Sequence, residues 1–356
     1  MANLTYTVQN KNGSYDGDMV VKQYTSMTIN AGDTVTTDQP CRGLLIYVQG
    51  NCTINGTLSM KGRGALANPT VSGGSDNNAV DSNGLRLPFL TASGTDTLSA
   101  ASTLFNGCGT AARTVIANQK SISSNGTIMQ IVRIGGAGLG KQWTGNVSNN
   151  TGTNGNSIAN GSGSGGTGGV GYGDLQGNVC CKGTAGTCFS GGSGGGGVQQ
   201  FATSTYNGNA SEYGGKGGDG VNGHTANITG GAGNPNGTPV HHSGGNAGSA
   251  TIVSSGESGT GGIIWLIVGG NLTIGSTGLI TVEGSKADSM SGSYSFTSMG
   301  GGSGGGVIKI AYRGTFINNG TIAYSGGLGG THSAGLNYIG NGGNGGSGSY
   351  QALQVK

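Results

Sequence analysis

Apolar and polar residues alternate along this chain in short runs, which are separated by Asn-Gly or Gly-Thr breaks and closed by glycine. Three such units occupy residues 43–62, 262–284 and 306–326, and residues 121–135 form a degenerate fourth unit. Alternation with a period of two predicts strands that bury one face. A repeat of about 20 residues is typical of a solenoid, in which each coil buries its apolar face against its neighbours. We therefore predict an all-β fold of β-solenoid or β-helix-like coils with long glycine-rich loops.

Turn signals and glycine usage divide the chain into four regions. Residues 1–42 read as an N-terminal β region, a candidate for attachment, and residues 43–134 as the first coils with an inserted loop at 66–120. Residues 135–250 form a glycine-rich region for recognition or packing. Residues 251–356 return to strong coils and end in a terminal strand from residue 349.

The composition is dominated by 82 glycines among 356 residues, with only five prolines and 8% charged residues. Collagen is excluded because no Gly-X-Y period is sustained, and disorder driven by charge is disfavoured. Two structures remain open for residues 135–250. They are either flexible loops of a solenoid, or extended glycine helices with three residues per turn that bond to one another laterally, as in polyglycine II.

Charge and hydropathy narrow the classes of partner. The net charge of +3 is spread thinly and forms no basic cluster, so we expect no nucleic-acid binding. The longest strongly apolar run, residues 263–268, is too short to span a bilayer, and the N-terminus lacks the pattern of a secretory signal. Of the six cysteines, Cys41 and Cys52 are expected to be reduced core residues, whereas the redox state of Cys180, Cys181 and Cys188 stays open.

Several sequence motifs suggest ligand chemistry but are incomplete. Residues 135–142 nearly match a phosphate-binding loop, yet Gln142 replaces the hydroxyl residue that would bind magnesium. Residues 214–222 match a single calcium-binding nonapeptide with Asp219, while such sites need several successive repeats. The cysteines near residue 180 lack a fourth ligand, and the adjacent His241 and His242 are best read as exposed loop residues. We expect no cofactor and no metal.

Glu283 is the strongest catalytic candidate, because it follows a strand and would stand on one face of a coil. Glycoside cleavage usually needs two carboxylates about 5–10 Å apart, and acids are few in this chain. A solvated strand residue is the preferred interpretation, so we do not expect an enzyme.

Eight aromatic residues lie among glycine, serine and asparagine rather than in strands. Rigid rings among adaptable polar residues are typical of recognition loops; the alternative is that each ring pins its loop against the rod. The candidate receptor-binding residues are Trp143, Tyr172, Phe189, Tyr206, Tyr213, Tyr294, Phe296 and Tyr338.

The chain resembles glycine-rich bacteriophage tail-fibre and adhesin proteins. The resemblance rests on Ile317-Asn-Asn-Gly-Thr-Ile322, on Ile54-Asn-Gly-Thr-Leu58, and on the glycine tracts at residues 191–197, 214–220 and 300–306. It implies a virion protein, made in the host cytoplasm, that binds a host surface glycan or outer-membrane protein. The partners would be other virion proteins and further copies of the chain, a trimer being one symmetry. Two alternatives are a capsid decoration, cement or head-fibre protein, and a polysaccharide-degrading tailspike.

Overall fold

The computed structural model describes part of the chain, including the repeat units near both ends of the sequence and parts of the glycine-rich region. The described ranges are residues 3–9, 17–65, 70–71, 79–80, 141–142, 146–159, 161–174, 179–180, 183–187, 189–197, 227–229, 231–233, 240–241, 251–292, 297–333 and 339–354. Within them every regular element is a strand, so the described part of the chain is all-β.

Twenty-six strands occur in the described ranges. The first nine are β1 (Leu4–Tyr6), β2 (Val20–Tyr24), β3 (Met27–Ile29), β4 (Thr34–Thr37), β5 (Leu44–Val48), β6 (Cys52–Ile54), β7 (Thr57–Ser59), β8 (Thr70–Val71) and β9 (Ala79–Val80). The next seven are β10 (Lys141–Gln142), β11 (Asn146–Asn150), β12 (Val170–Asp174), β13 (Val179–Cys180), β14 (Asn227–Ile228), β15 (Val240–His241) and β16 (Thr251–Ser254). The last ten are β17 (Ile263–Val268), β18 (Leu272–Ile274), β19 (Leu279–Thr281), β20 (Ser289–Ser291), β21 (Thr297–Ser298), β22 (Val307–Tyr312), β23 (Phe316–Asn318), β24 (Thr321–Ala323), β25 (Ile339–Gly340) and β26 (Ser349–Gln354).

Three parallel sheets contain most of these strands. We name them sheet 1, with the order β2-β5-β17-β22-β26, sheet 2, with the order β3-β6-β18-β23, and sheet 3, with the order β1-β4-β7-β19-β24. Each complete pass of the chain adds one strand to sheet 1, then one to sheet 2, then one to sheet 3. The predicted strands in the units 43–62, 262–284 and 306–326 and at the C-terminus are confirmed. Residues 20–37, which the sequence pattern assigned to a separate N-terminal region, make a further pass of the same kind.

The connections between sheets differ in length. Only a few residues join a strand of sheet 1 to sheet 2, or a strand of sheet 2 to sheet 3, whereas residues 60–262, 282–306 and 324–348 lead from sheet 3 back to sheet 1. In spite of the first of these long connections, β5 pairs directly with β17, with Leu44 opposite Ile264. The glycine-rich sequence is therefore inserted at one corner of the three-sheet stack.

The core lies between the three sheets and consists of aliphatic ladders from successive passes. One ladder on sheet 2 joins Ile29, Ile54 and Ile274, all fully buried. Cys41 and Cys52 are also buried and free, as the sequence predicted. Because each pass buries its apolar residues against the passes on either side, the stack has one continuous core.

Glycine segments pack beside this stack through a regular set of backbone hydrogen bonds. We call residues 298–306 the central segment. From Gly301 to Gly306 its successive N–H groups donate in rotation to three neighbouring segments, and each direction recurs after three residues. The pairs are Gly301 with Gly195, Gly302 with Gly343, Ser303 with Ser285, Gly304 with Gly192, Gly305 with Gly346 and Gly306 with Val282, at 2.7–3.0 Å between nitrogen and oxygen.

The carbonyl groups of the central segment accept from other neighbours with the same spacing. Gly163, Gly166 and Gly169 donate to Gly305, Gly302 and Met299, and Gly327 and Gly330 donate to Ser303 and Gly300. Thr229, Ala232 and Gly261 donate to Ser298, Gly301 and Gly304. The backbone groups of the described glycine tracts are thus paired between segments, and these tracts are hydrogen-bonded rather than unpaired loops.

Side chains are excluded where segments meet. A β-carbon on Gly301 would collide with the carbonyl oxygen of Gly166, and one on Gly304 would collide with that of Gly163. Because backbone rather than a flexible side chain occupies the space, only glycine fits at these positions.

Candidate functional site

A polar groove of about 390 Å³ lies where the outer surface of sheet 3 meets the glycine segments. Its described lining residues are Thr34, Thr36, Ser59, Lys61, Gly62, Arg63, Glu257, Ser258 and Ser285. They come from two passes of the stack and from the segments that connect sheet 3 back to sheet 1.

The floor of the groove follows from strand alternation. Val35 and Leu58 point into the core, so Thr34 and Thr36 on β4 and Ser59 on β7 face outwards. Val35 and Leu58 are register partners on adjacent parallel strands. Rows of hydroxyl groups therefore cross the floor at the spacing of neighbouring strands, about 4.8 Å.

The wall depends on two glycines in the left-handed region of backbone conformation. Gly62 has φ = 63° and Gly259 has φ = 92°. A β-carbon on Gly62 would lie 2.7 Å from the carbonyl oxygen of Ser258, so the two chain segments approach more closely than side chains would allow. The Ser285 hydroxyl donates to the same Ser258 oxygen at 2.9 Å, which ties the wall to the next pass of the stack.

Two basic side chains and one acidic side chain define the charge of the groove. The Lys61 ammonium lies 3.1 Å from the Glu257 carboxylate, in a partly exposed ion pair. Arg63 is half-buried, and its side chain forms no ion pair with any described residue. Among the described lining residues the groove therefore carries one more basic side chain than acidic side chains.

Glu283 is not among the described lining residues of the groove, although Ser285, two positions later in the chain, is one of them. Its Oε1 accepts a hydrogen bond from the Ser325 hydroxyl at 2.8 Å, and its Oε2 accepts one from the Thr281 hydroxyl at 3.2 Å. Both carboxylate oxygens are thus engaged by the same sheet. These hydrogen bonds suit a structural role for Glu283. Whether Glu283 acts as a catalytic acid, as the tailspike hypothesis requires, stays a prediction.

The predicted aromatic receptor contacts are only partly within the described ranges. Phe189 is 2% exposed, and its ring centroid lies 6.0 Å from the Arg42 guanidinium carbon. Phe189 is therefore not on the surface of this chain, and its burial agrees with the alternative in which a ring pins its segment to the stack. Tyr172 lies on β12. The other six lie outside the described residues: Trp143, Tyr206, Tyr213, Tyr294, Phe296 and Tyr338.

The remaining motif predictions have few residues in the structure. Lys141 and Gln142 form β10, which pairs with β13, while the rest of the phosphate-loop near-match and the whole calcium nonapeptide lie outside the described ranges. In those ranges no three His, Cys, Asp or Glu side chains cluster in a way that could hold a metal ion. A helix long and apolar enough to cross a membrane is likewise absent from the described residues.

Sequence reasoning missed Lys61, Arg63 and Glu257. The signal available was the Lys-Gly-Arg order of residues 61–63 directly after a strand, which places two basic residues at one strand end. Glu257 could not be joined to them, because 196 positions separate it from Lys61 along the chain.

No known protein family matches this chain, and comparisons with characterised proteins and with solved structures find no match.

Proposed function

We propose that this chain is a structural protein of a bacteriophage virion, related in design to tail-fibre adhesins, that binds a host cell-surface receptor. The proposal includes its architecture. We infer that the three parallel sheets wind as a β-solenoid and that the glycine segments form a bundle of polyglycine II-like helices. The polyglycine II-like assignment is supported by the hydrogen bonds along residues 301–306, whose N–H groups donate in turn to three neighbouring segments. A helix with three residues per turn directs successive N–H groups in three directions.

The physical properties of this arrangement suit an extracellular particle. Backbone groups of the glycine segments are paired between segments, as in the contacts of Gly302 with Gly343 and Gly305 with Gly346. Such pairing leaves few exposed amides for a protease, and local opening has to break several bonds together. A stiff platform present in several copies would multiply weak receptor contacts through avidity.

A role as a capsid decoration or cement protein is the second candidate, and one surface favours it. At the end of the stack, β23 and β24 have no further strand beside them among the described residues. Ile317, Tyr324 and Leu328 are exposed in this region, with Leu328 at 63%. An open strand edge with exposed apolar side chains is suited to docking on another protein.

Immunogold electron microscopy of purified particles, with antibody against residues 135–250, tests the proposal. Label at the distal tail supports the adhesin, whereas label spread over the head supports decoration and makes capsid stability the next assay. If particles that are labelled by an antibody against a known virion protein carry none of this chain, both virion roles are wrong.

A further inference from the structure

We propose that the polar groove binds the carboxylate of an acidic sugar within a host surface polysaccharide. This inference rests on the proposed receptor-binding function and names its ligand class. The site combines Arg63 with the outward-facing Thr34, Thr36 and Ser59, beside the Lys61–Glu257 ion pair.

The lining of the groove selects a hydroxylated ligand. Every described side chain that lines it is a hydroxyl, an ammonium, a guanidinium or a carboxylate, and none is aromatic or aliphatic. Most small-molecule pockets obtain affinity from apolar burial and ring stacking. Here affinity has to come from hydrogen bonds, and a sugar presents several donors and acceptors at once.

The charge of the groove selects an anion. Glu257 is already paired with Lys61 at 3.1 Å, so Arg63 is the remaining charged residue of the described lining. Guanidinium groups bind carboxylates through two parallel charge-assisted hydrogen bonds, with a planar geometry that an ammonium cannot copy. A carboxylate on the ligand would complete the site without breaking the existing ion pair.

Backbone hydrogen bonds on both the N–H and the carbonyl side of Arg63 fix the position of its main chain. Its N–H donates to the Met60 carbonyl at 3.2 Å, and its own carbonyl accepts from the Cys41 N–H at 3.1 Å. The following residue, Gly64, donates to Thr260 at 2.9 Å. The side chain therefore starts from a fixed point, which lowers the ordering cost of binding.

The groove is open along the sheet, so it can bind one unit of a longer polymer rather than enclosing a whole small molecule. Its floor is the outer face of sheet 3, where Thr36 and Ser59 belong to one row of outward residues across adjacent strands. The volume of about 390 Å³ lies at the lower end of typical ligand sites. One sugar acid can occupy the groove while the rest of the chain continues along the sheet.

Calorimetric titration with two matched probes tests the inference. The first is the α-1,4-linked trimer of galacturonic acid, and the second is the same trimer with its carboxylates methyl-esterified. We expect the acid to bind and the ester to bind at least about tenfold more weakly, because esterification removes the charge and keeps the hydroxyls. Equal affinity for both probes, or no binding of either at millimolar concentration, would overturn the inference.

Two substitutions at Arg63 distinguish the contribution of its positive charge from that of its planar guanidinium group. Arg63→Ala should weaken binding of the acid at least about tenfold, and Arg63→Lys should restore only part of the loss. Arg313→Ala is the matched control, since Arg313 is exposed and does not line the groove. Unchanged binding in Arg63→Ala, with the melting temperature of the wild type, contradicts the inference.

The outcome is distinguishable from failure of the proposed function. If immunogold labelling finds the protein on the virion but the protein does not bind the galacturonic acid trimer, the virion role stands and the receptor is a different molecule. Inorganic phosphate serves as a competitor in the same titration. If phosphate displaces the trimer with higher affinity than free galacturonate does, the groove recognises a phosphate group and the sugar-acid assignment is wrong.

Discussion

The Lys309 ammonium donates a hydrogen bond to the side-chain oxygen of Gln351, 2.9 Å away, and the two residues are register partners on β22 and β26. Lys309 has no exposed surface, and burial lowers its pKa from 10.5 to about 7. A lysine that is protonated inside the protein near neutral pH costs free energy, because water no longer solvates its charge.

Stability should therefore rise with pH above neutrality. Between the folded pKa of about 7 and the unfolded value of 10.5, the unfolded chain binds more protons at Lys309 than the folded chain does, so raising the pH favours folding. Burial also raises the pKa of the Cys41 thiol to about 11 and that of Cys52 to about 12. The stability from these thiols is lost as the pH rises from their unfolded value of 9.0 through those pKa values. We expect the melting temperature to increase from pH 6.5 to about pH 8.5 and to fall at higher pH.

Lys309→Met isolates the lysine contribution. At pH 6.5 the variant should be more stable than the wild type by about 1–4 kcal/mol, because an apolar side chain of similar length replaces a buried charge. Its stability should no longer rise between pH 6.5 and pH 8.5. Urea unfolding at both pH values measures the effect, and a variant that keeps the wild-type rise would show that another group titrates.

Gly304→Ala tests the packing of the glycine segments. Its β-carbon would collide with the Gly163 carbonyl oxygen, so we expect a loss of about 3 kcal/mol in the free energy of unfolding. Gly32→Ala is the control: Gly32 has a positive φ of 84° but no atom within 4 Å of the added β-carbon, and it should lose only about 1 kcal/mol. Equal losses at the two positions in urea titration would contradict close packing of residues 298–306.

Phe189 should matter for stability rather than for receptor contact. Phe189→Ala removes a buried ring that faces the Arg42 guanidinium, and we expect a loss of about 3–5 kcal/mol. Phe189→Leu keeps most of the apolar volume and should lose less than half as much. Calorimetric melting of both variants measures this difference. A Phe189→Ala protein with the wild-type melting temperature and impaired adsorption to host cells would restore Phe189 as a recognition residue.

Glu283→Gln should have little effect on the free energy of unfolding, because Glu283 is expected to be a structural residue rather than a catalytic one. The amide oxygen can still accept from Ser325, so the free energy of unfolding should change by less than about 1 kcal/mol. We expect the wild-type protein to clear no capsular polysaccharide on host lawns. Clearing by the wild type that Glu283→Gln abolishes would instead support the tailspike hypothesis.

Strand positions were predictable from local pattern, while strand partners were not. Short apolar runs at residues 44–48 and 263–268, each bounded by glycine, marked both as strands, although β17 buries both faces rather than the one face expected from the repeat. Nothing in either run shows that Leu44 lies opposite Ile264. That pairing forms across a connection of about 200 residues, which a pattern confined to short windows does not report.

The groove was missed for the same reason. Lys61 and Glu257 meet at 3.1 Å only because the long connection returns to the corner from which it left. Phe189 was misplaced because a ring among glycines looks exposed when its sequence neighbours are considered alone, whereas Arg42 and the stack cover it from elsewhere in the chain.

By itself, the sequence determined that the described residues form strands and no helix, which segments hold the apolar strands, and that Cys41 and Cys52 join the core. Those features follow from local alternation and side-chain chemistry. The tertiary structure alone decided the order of strands in the three sheets, the site at Lys61, Arg63 and Glu257, and the choice between loops and packed segments for the described glycine tracts. Glycine carries no side chain to mark a buried face, so only the backbone hydrogen bonds between distant segments, such as Gly301 with Gly195, could decide it.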